Sequence, residues 1–182
     1  MVAWWLPAAW LDWQPHLAAA EPWRFVTAAW VHWSALHLGA NLAGIAVLAA
    51  LGQVARFPAA AAWAWAAAWP LAHAGLLVQP ALAHYGGASG VLHAAVAVAV
   101  CWLVVRAAAG VRVVGAAVGA GLVVKLLAEQ PWLGPLVQPR GWDIAVAPLA
   151  HVSGALAGLG CALCALVTLK WRVSESGPSR PI

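Results

Sequence analysis

Five apolar runs, separated by polar residues or by Pro and Gly, occupy approximately 34–51, 59–78, 87–105, 111–127 and 149–169. Each approaches the roughly 20 residues that an α-helix needs to cross the hydrocarbon of a bilayer. Inside lipid only helices and closed barrels satisfy their own backbone groups. With 65% hydrophobic and 8% charged residues and a mean hydropathy of +0.86, the chain reads as an integral membrane protein whose main partner is the lipid bilayer. Its 182 residues hold one all-α polytopic bundle of about six transmembrane helices and no second domain. Residues 1–173 are assigned to that bundle and the polar residues 174–182 to a disordered cytoplasmic tail.

The first segment, 1–11, is apolar but only about half a span, contains Pro7 and stops at Asp12, so it reads either as a re-entrant or interfacial stub or, the reading favoured, as a truncated first span. It lacks the basic start and small-residue cleavage site of a secretory signal. Charge sets the orientation. Arg56, Arg106, Arg112, Lys170, Arg172 and Arg180 fall in gaps or tails on one side, which is therefore cytoplasmic, while Arg24, Arg140, Asp12, Glu21, Glu129 and Asp143 fall on the other. Lys125, near the outer end of its helix, can snorkel to the surface. The net charge of +4 is no nucleic-acid signal, because its basic residues are scattered singly and form no stripe among aromatics. Trp10, Trp13, Trp23, Trp30 and Trp33 precede the first full span as an interfacial belt would. Cys101, Cys161 and Cys164 lie in apolar runs and read as small buried hydrophobes; the Cys161/Cys164 pair has redox-motif spacing but no βαβ context.

In this topology the runs beginning near Ser34, Gly87 and Leu149 all enter from the outer face. Within their first turn or two they carry His37 and Asn41, Ser89, and His151. Polar groups at membrane depth are costly and mark function by default. A lone membrane serine is usually interhelical glue and a lone histidine a satisfied polar contact, so the weight lies in their coincidence in one layer. A serine hydroxyl becomes a good nucleophile when an imidazole takes its proton, and that imidazole can then protonate a leaving amine. Donors for an oxyanion are at hand in the Asn41 amide, His37 and the Ser89 N–H. Gly87 and Gly90 give clearance around Ser89, and Gly154 and Gly158 make a small-xxx-small face after His151. His93 is a second candidate base, since at i+4 its ring leans back toward Ser89, although one turn deeper. The stretch is no soluble-hydrolase nucleophile elbow, because Val91 replaces the last glycine and no strand precedes it.

These segments resemble the rhomboid intramembrane serine proteases. "WRFVTAAWVHWSALHLGAN" (23–41) is similar to the rhomboid first-loop and second-helix pattern, "GASG" (87–90) to its nucleophile motif and "AHVSGALAG" (150–158) to its last-helix histidine motif. The resemblance implies a rhomboid-like bundle in which Ser89 is the nucleophile and His151 the general base of a dyad. It implies His37 and Asn41 as oxyanion stabilisers, with Gly87, Gly90 and Gly154 supporting, no cofactor, and no orienting carboxylate. Trp23 and Arg24 match a structural loop element outside the site. A narrower resemblance, carried by "YGGASGVLH" (85–93) and "KLLAEQPWLGP" (125–135), is to the rhombosortase subgroup. It implies transmembrane protein substrates with C-terminal Gly-Gly anchors, and a bacterial inner-membrane location with the site facing the periplasm.

Competing readings have weaker support. A zinc hydrolase would require a motif such as H-E-x-x-H, whereas His32 and His37 stand five apart, so no metal is expected. A catalytically inactive rhomboid-like protein that binds membrane clients would normally have lost the serine or the histidine. A transporter would carry charge or broken helices at the midplane, where this chain has Ala, Val and Leu. The segment 127–148, rich in Pro and Gly, is the expected gate for substrate and water.

Overall fold

The computed structural model describes residues 6–175. Six α-helices are present among them: α1 (Arg24–Thr27), α2 (Ala35–Val54), α3 (Ala59–Ala74), α4 (Ser89–Arg106), α5 (Ala109–Ala128) and α6 (Pro148–Glu175). Five are long and apolar enough to cross a membrane, α3 being extended by a 3-10 turn at Gly75–Val78. Their ends lie within a few residues of the five apolar runs. Of the segment expected as a partial first span, Ala8–Trp10 forms a 3-10 turn and residues 1–5 lie outside the described residues. Helix α6 continues through Ser174 and Glu175, and the rest of the expected tail, 176–182, lies outside the described residues.

Burial ranks the helices. Half of the apolar window of α4 is buried within the protein, against 11% for α2 and 6% for α5, so α4 is the central post and the other two face lipid. Large side chains such as Trp63, Val113, Val124 and Val167 point outward into the surrounding hydrocarbon. Between lipid and protein the apolar effect discriminates little, and close backbone approach has to hold the helices together. Helices α4 and α6 achieve it. A β-carbon on Gly154 would stand 1.9 Å from the Gly90 carbonyl oxygen, and one on Gly158 2.2 Å from that of Ala94. Helix α6 is tied to α3 by the buried Ser153 hydroxyl, which donates to the Ala72 carbonyl at 2.7 Å.

Residues 6–34 fold as a layer at the end of the bundle where α2, α4 and α6 begin, organised by one buried ion pair. Arg24 donates to the Asp12 carboxylate at 3.0 Å, to the Asp12 carbonyl at 2.6 Å and to the Ala9 carbonyl at 2.9 Å. Gln14 and His84 donate to the same carboxylate at 2.8 and 2.7 Å, so the buried charge is fully hydrogen-bonded. Trp10, Trp23, Trp30 and Trp33 are exposed at this level, in keeping with a belt. Trp13 is not part of it. It is fully buried, packs edge-on against Phe25 and exchanges backbone hydrogen bonds with Tyr85 at 2.7 and 3.0 Å. The cysteines also divide: Cys101 is buried, Cys161 half-buried and Cys164 exposed to the lipid side, all three as free thiols.

Candidate active site

The bridge between Trp13 and Tyr85 holds an extended segment that leads into α4. Gly87 then turns with φ +129°, a conformation that side chains rarely adopt, and a β-carbon there would lie 2.5 Å from His37 Nε2. Ser89 follows as the first residue of α4. Helix α6 starts with Pro148, well suited to a first turn because the missing N–H has no partner there. His151 is therefore in the first turn of α6. The absent side chain of Gly90 completes the approach: a β-carbon would stand 2.8 Å from the Ala150 carbonyl oxygen.

Ser89 Oγ lies 2.9 Å from His151 Nε2. The other ring nitrogen, Nδ1, is 2.6 Å from Glu129 Oε2. A carboxylate only accepts, so Nδ1 carries the proton and donates, leaving Nε2 to accept from the Ser89 hydroxyl. Lys125 Nζ grips the second carboxylate oxygen at 2.5 Å and stands 3.5 Å from His151 Nδ1, where two donors meet and no hydrogen bond forms. Burial alone would raise the Glu129 carboxyl, but the hydrogen bond and charge of His151, with Lys125 behind them, outweigh it and hold the pKa at about 2.

The expectation that no orienting carboxylate stands at this depth is corrected by Glu129. Its residue caps the C-terminal end of α5, where the helix dipole disfavours an acid. That misplaced charge, paired i,i+4 with a lysine, was the available signal in the sequence. What the sequence could not show is that the C-terminal end of α5 lies beside the first turn of α6.

His93 is placed differently from its role as a second candidate base. Its Nδ1 donates to the Ser89 carbonyl at 2.6 Å, and its ring stacks on His151 with centroids 4.1 Å apart. His37 and Asn41, successive turns of α2, are both buried. Among the described residues, His37 Nδ1 and Asn41 Nδ2 have no hydrogen-bond partner. Donors left open in a buried setting are costly unless something else fills them, and both residues line the same cavity of about 420 Å³ as Ser89 and His151. Tyr85 borders it too; its hydroxyl donates to the Gly87 carbonyl at 3.1 Å, and burial pushes the phenol above its usual range.

The cavity is covered by the segment expected as a gate. Val137 and Val146 exchange backbone hydrogen bonds at 2.9 and 2.8 Å, closing a loop that turns at Gly141 (φ +80°) and lays Leu136, Pro139 and Ile144 over the opening. Among the described residues one side-chain hydrogen bond ties it to the start of α2. Ser34 Oγ accepts from the His37 N–H at 3.1 Å, capping α2, and donates to Asp143 Oδ1 at 2.8 Å. Among the described residues no group of three or more His, Cys, Asp or Glu is placed to hold a metal ion.

A polytopic helical membrane protein with a hydroxyl, an imidazole and a carboxylate in line near one end of its helix bundle has the chemistry of a serine acyl-transfer site. The chain matches the rhomboid domain over residues 19–168, most of its length, and it belongs to the rhomboid family. No curated protein and no solved structure shows significant similarity to it.

Proposed function

We propose that this protein is an intramembrane serine endopeptidase that cuts membrane-anchored proteins near the outer face of the bilayer. The observation that carries the reading is the 2.9 Å contact between Ser89 Oγ and His151 Nε2 in a cavity below that face. His151 takes the Ser89 proton as Oγ attacks the scissile carbonyl. The oxyanion that forms is met by His37 and Asn41, whose open donors face no competing partner. The imidazolium returns its proton to the leaving amine, the peptide bond breaks, and water then releases the acyl group by the same steps in reverse roles. Gly87, Gly90 and Gly154 support the site by letting His37, α6 and α4 approach without side chains between them. His93 acts by packing on His151 rather than as the base. The loop over the cavity opens to admit water and substrate.

The substrate class follows from the narrower resemblance: exported proteins with a C-terminal Gly-Gly motif, an apolar helix and basic residues, processed by a rhombosortase at the periplasmic side of a bacterial inner membrane. Supporting this side is the Lys and Arg bias, which sets the opposite ends of the helices in the cytoplasm.

The test is cleavage of a Gly-Gly-tailed membrane substrate in cells by wild type, Ser89→Ala, His151→Ala and His93→Ala. Cleavage surviving Ser89→Ala overturns the serine-protease reading, and binding of the substrate without cleavage by wild type leaves client binding as the function. Loss only in His93→Ala transfers the role of base to His93. Cleavage of a rhomboid substrate without the Gly-Gly tail, but not of one with it, removes the rhombosortase assignment alone.

A further inference from the structure

We infer that Glu129 is a positioning residue for His151, clamped by Lys125, so that the site operates as a line of Ser89, His151 and Glu129 rather than as a dyad. The inference rests on the proposed roles of Ser89 and His151. Three observations support it. The Glu129 contact at 2.6 Å fixes which ring nitrogen holds the proton, and only that tautomer presents a lone pair to Ser89 at 2.9 Å. Among the described residues nothing else does so. His93 spends its Nδ1 on the Ser89 carbonyl and meets His151 only face to face. No other described side chain bonds His151 Nδ1; Lys125 approaches it only as a second donor.

The second observation is electrostatic. When the imidazole takes the serine proton it becomes a cation in a site 7% exposed at the side chain, next to an ammonium at 3.5 Å. Charge repulsion there is weakly screened. Of the groups that face His151, namely Ser89 and His93 from α4, His37 from α2, and Lys125 and Glu129 from α5, Glu129 alone is an anion. The third is its restraint. One carboxylate oxygen is held by Lys125 and the other by His151, so the carboxylate is fixed at both ends and stays ionised. A glutamate serving only to end α5 would gain nothing by lying against the dipole.

The experiment uses the full-length protein in proteoliposomes with a fluorogenic membrane substrate. Glu129→Gln keeps the size and removes the charge, and kcat is expected to fall by about 10²-fold or more while KM stays within about twofold. With the anion gone the imidazole loses its proton more readily, so the acid limb of the kcat profile moves to lower pH. Glu129→Asp recovers part of the rate. In wild type, the His151 Nδ1 proton resonates far downfield in the NMR spectrum, as a charge-assisted hydrogen bond requires, and Glu129→Gln removes the signal. Glu129→Gln with kcat within threefold of wild type and an unmoved acid limb overturns the inference, provided that Ser89→Ala and His151→Ala are inactive. Absence of the downfield proton in wild type overturns it without any variant having to fold. Activity in Ser89→Ala overturns the proposed protease function, and this inference with it.

Discussion

Gly154 of α6 faces the Gly90 carbonyl of α4 so closely that even a methyl group on Gly154 would sit 1.9 Å from the oxygen. Neither backbone can turn aside as a flexible side chain would, so Gly154→Ala has to part the two helices. A loss of about 1–3 kcal/mol is expected from such overpacking, together with loss of the Ser89 to His151 contact. Gly160→Ala on the same helix meets nothing within 4 Å and serves as the control. Thermal unfolding in detergent compares them, and equal melting of the two variants would remove the argument from close packing.

Asn41 separates stability from activity. Its Nδ2 is buried without a partner, so Asn41→Ala deletes an unsatisfied donor and leaves the melting temperature unchanged or raised. If the amide serves the oxyanion, kcat falls by about 10²–10³. A variant that melts early and cleaves at the normal rate would reverse both halves of the expectation.

Ser34 holds two things at once, the first turn of α2 and the loop over the cavity. Ser34→Ala loses both and is expected to cost about 1 kcal/mol from the cap alone. Asp143→Ala loses only the tie and leaves stability within about 0.5 kcal/mol. Both variants should be nicked faster between residues 130 and 147 in limited proteolysis, with the melting temperature lowered only in Ser34→Ala. An unchanged nicking rate in Asp143→Ala means the 2.8 Å contact does not keep the loop closed.

Glu129 gives the protein a pH dependence of known sign. Its carboxyl is held at about 2 in the folded protein against an ordinary 4.5, so the folded state binds fewer protons and the group contributes stability above pH 4.5. That contribution is lost as pH falls from 4.5 toward 2. The stability of wild type over Glu129→Gln, read from denaturation in detergent, should therefore shrink as pH falls across that window. A gap that stays constant between pH 4.5 and 2 would contradict the pairing with His151 and Lys125.

The membrane spans were legible because lipid imposes a length and forbids unpaired backbone. The breaks at Arg56, Ala107 and the 129–147 loop already mark where α2, α4 and α5 end. Helix order and the charge bias then placed His37, Asn41, Ser89 and His151 at one level. The gaps lie where lipid imposes nothing. Trp13 looked like its exposed neighbours because tryptophan suits both a belt and a core, and only its pairing with Tyr85 distinguishes it. Glu129 was counted as an outer-face charge. Its proximity to His151 depends on how two helix ends converge, which no spacing along the chain encodes.

The distance along the chain between Ser89 and His151 also matters before the protein is complete. Ser89 begins α4, whereas its imidazole neighbour arrives 62 residues later, on the last of the five long apolar helices among the described residues. During synthesis the hydroxyl therefore stands in the bilayer without a base until α6 has threaded and seated its glycines against α4. On the proposed mechanism, competence to cut a peptide bond appears only once α6 has packed against α4.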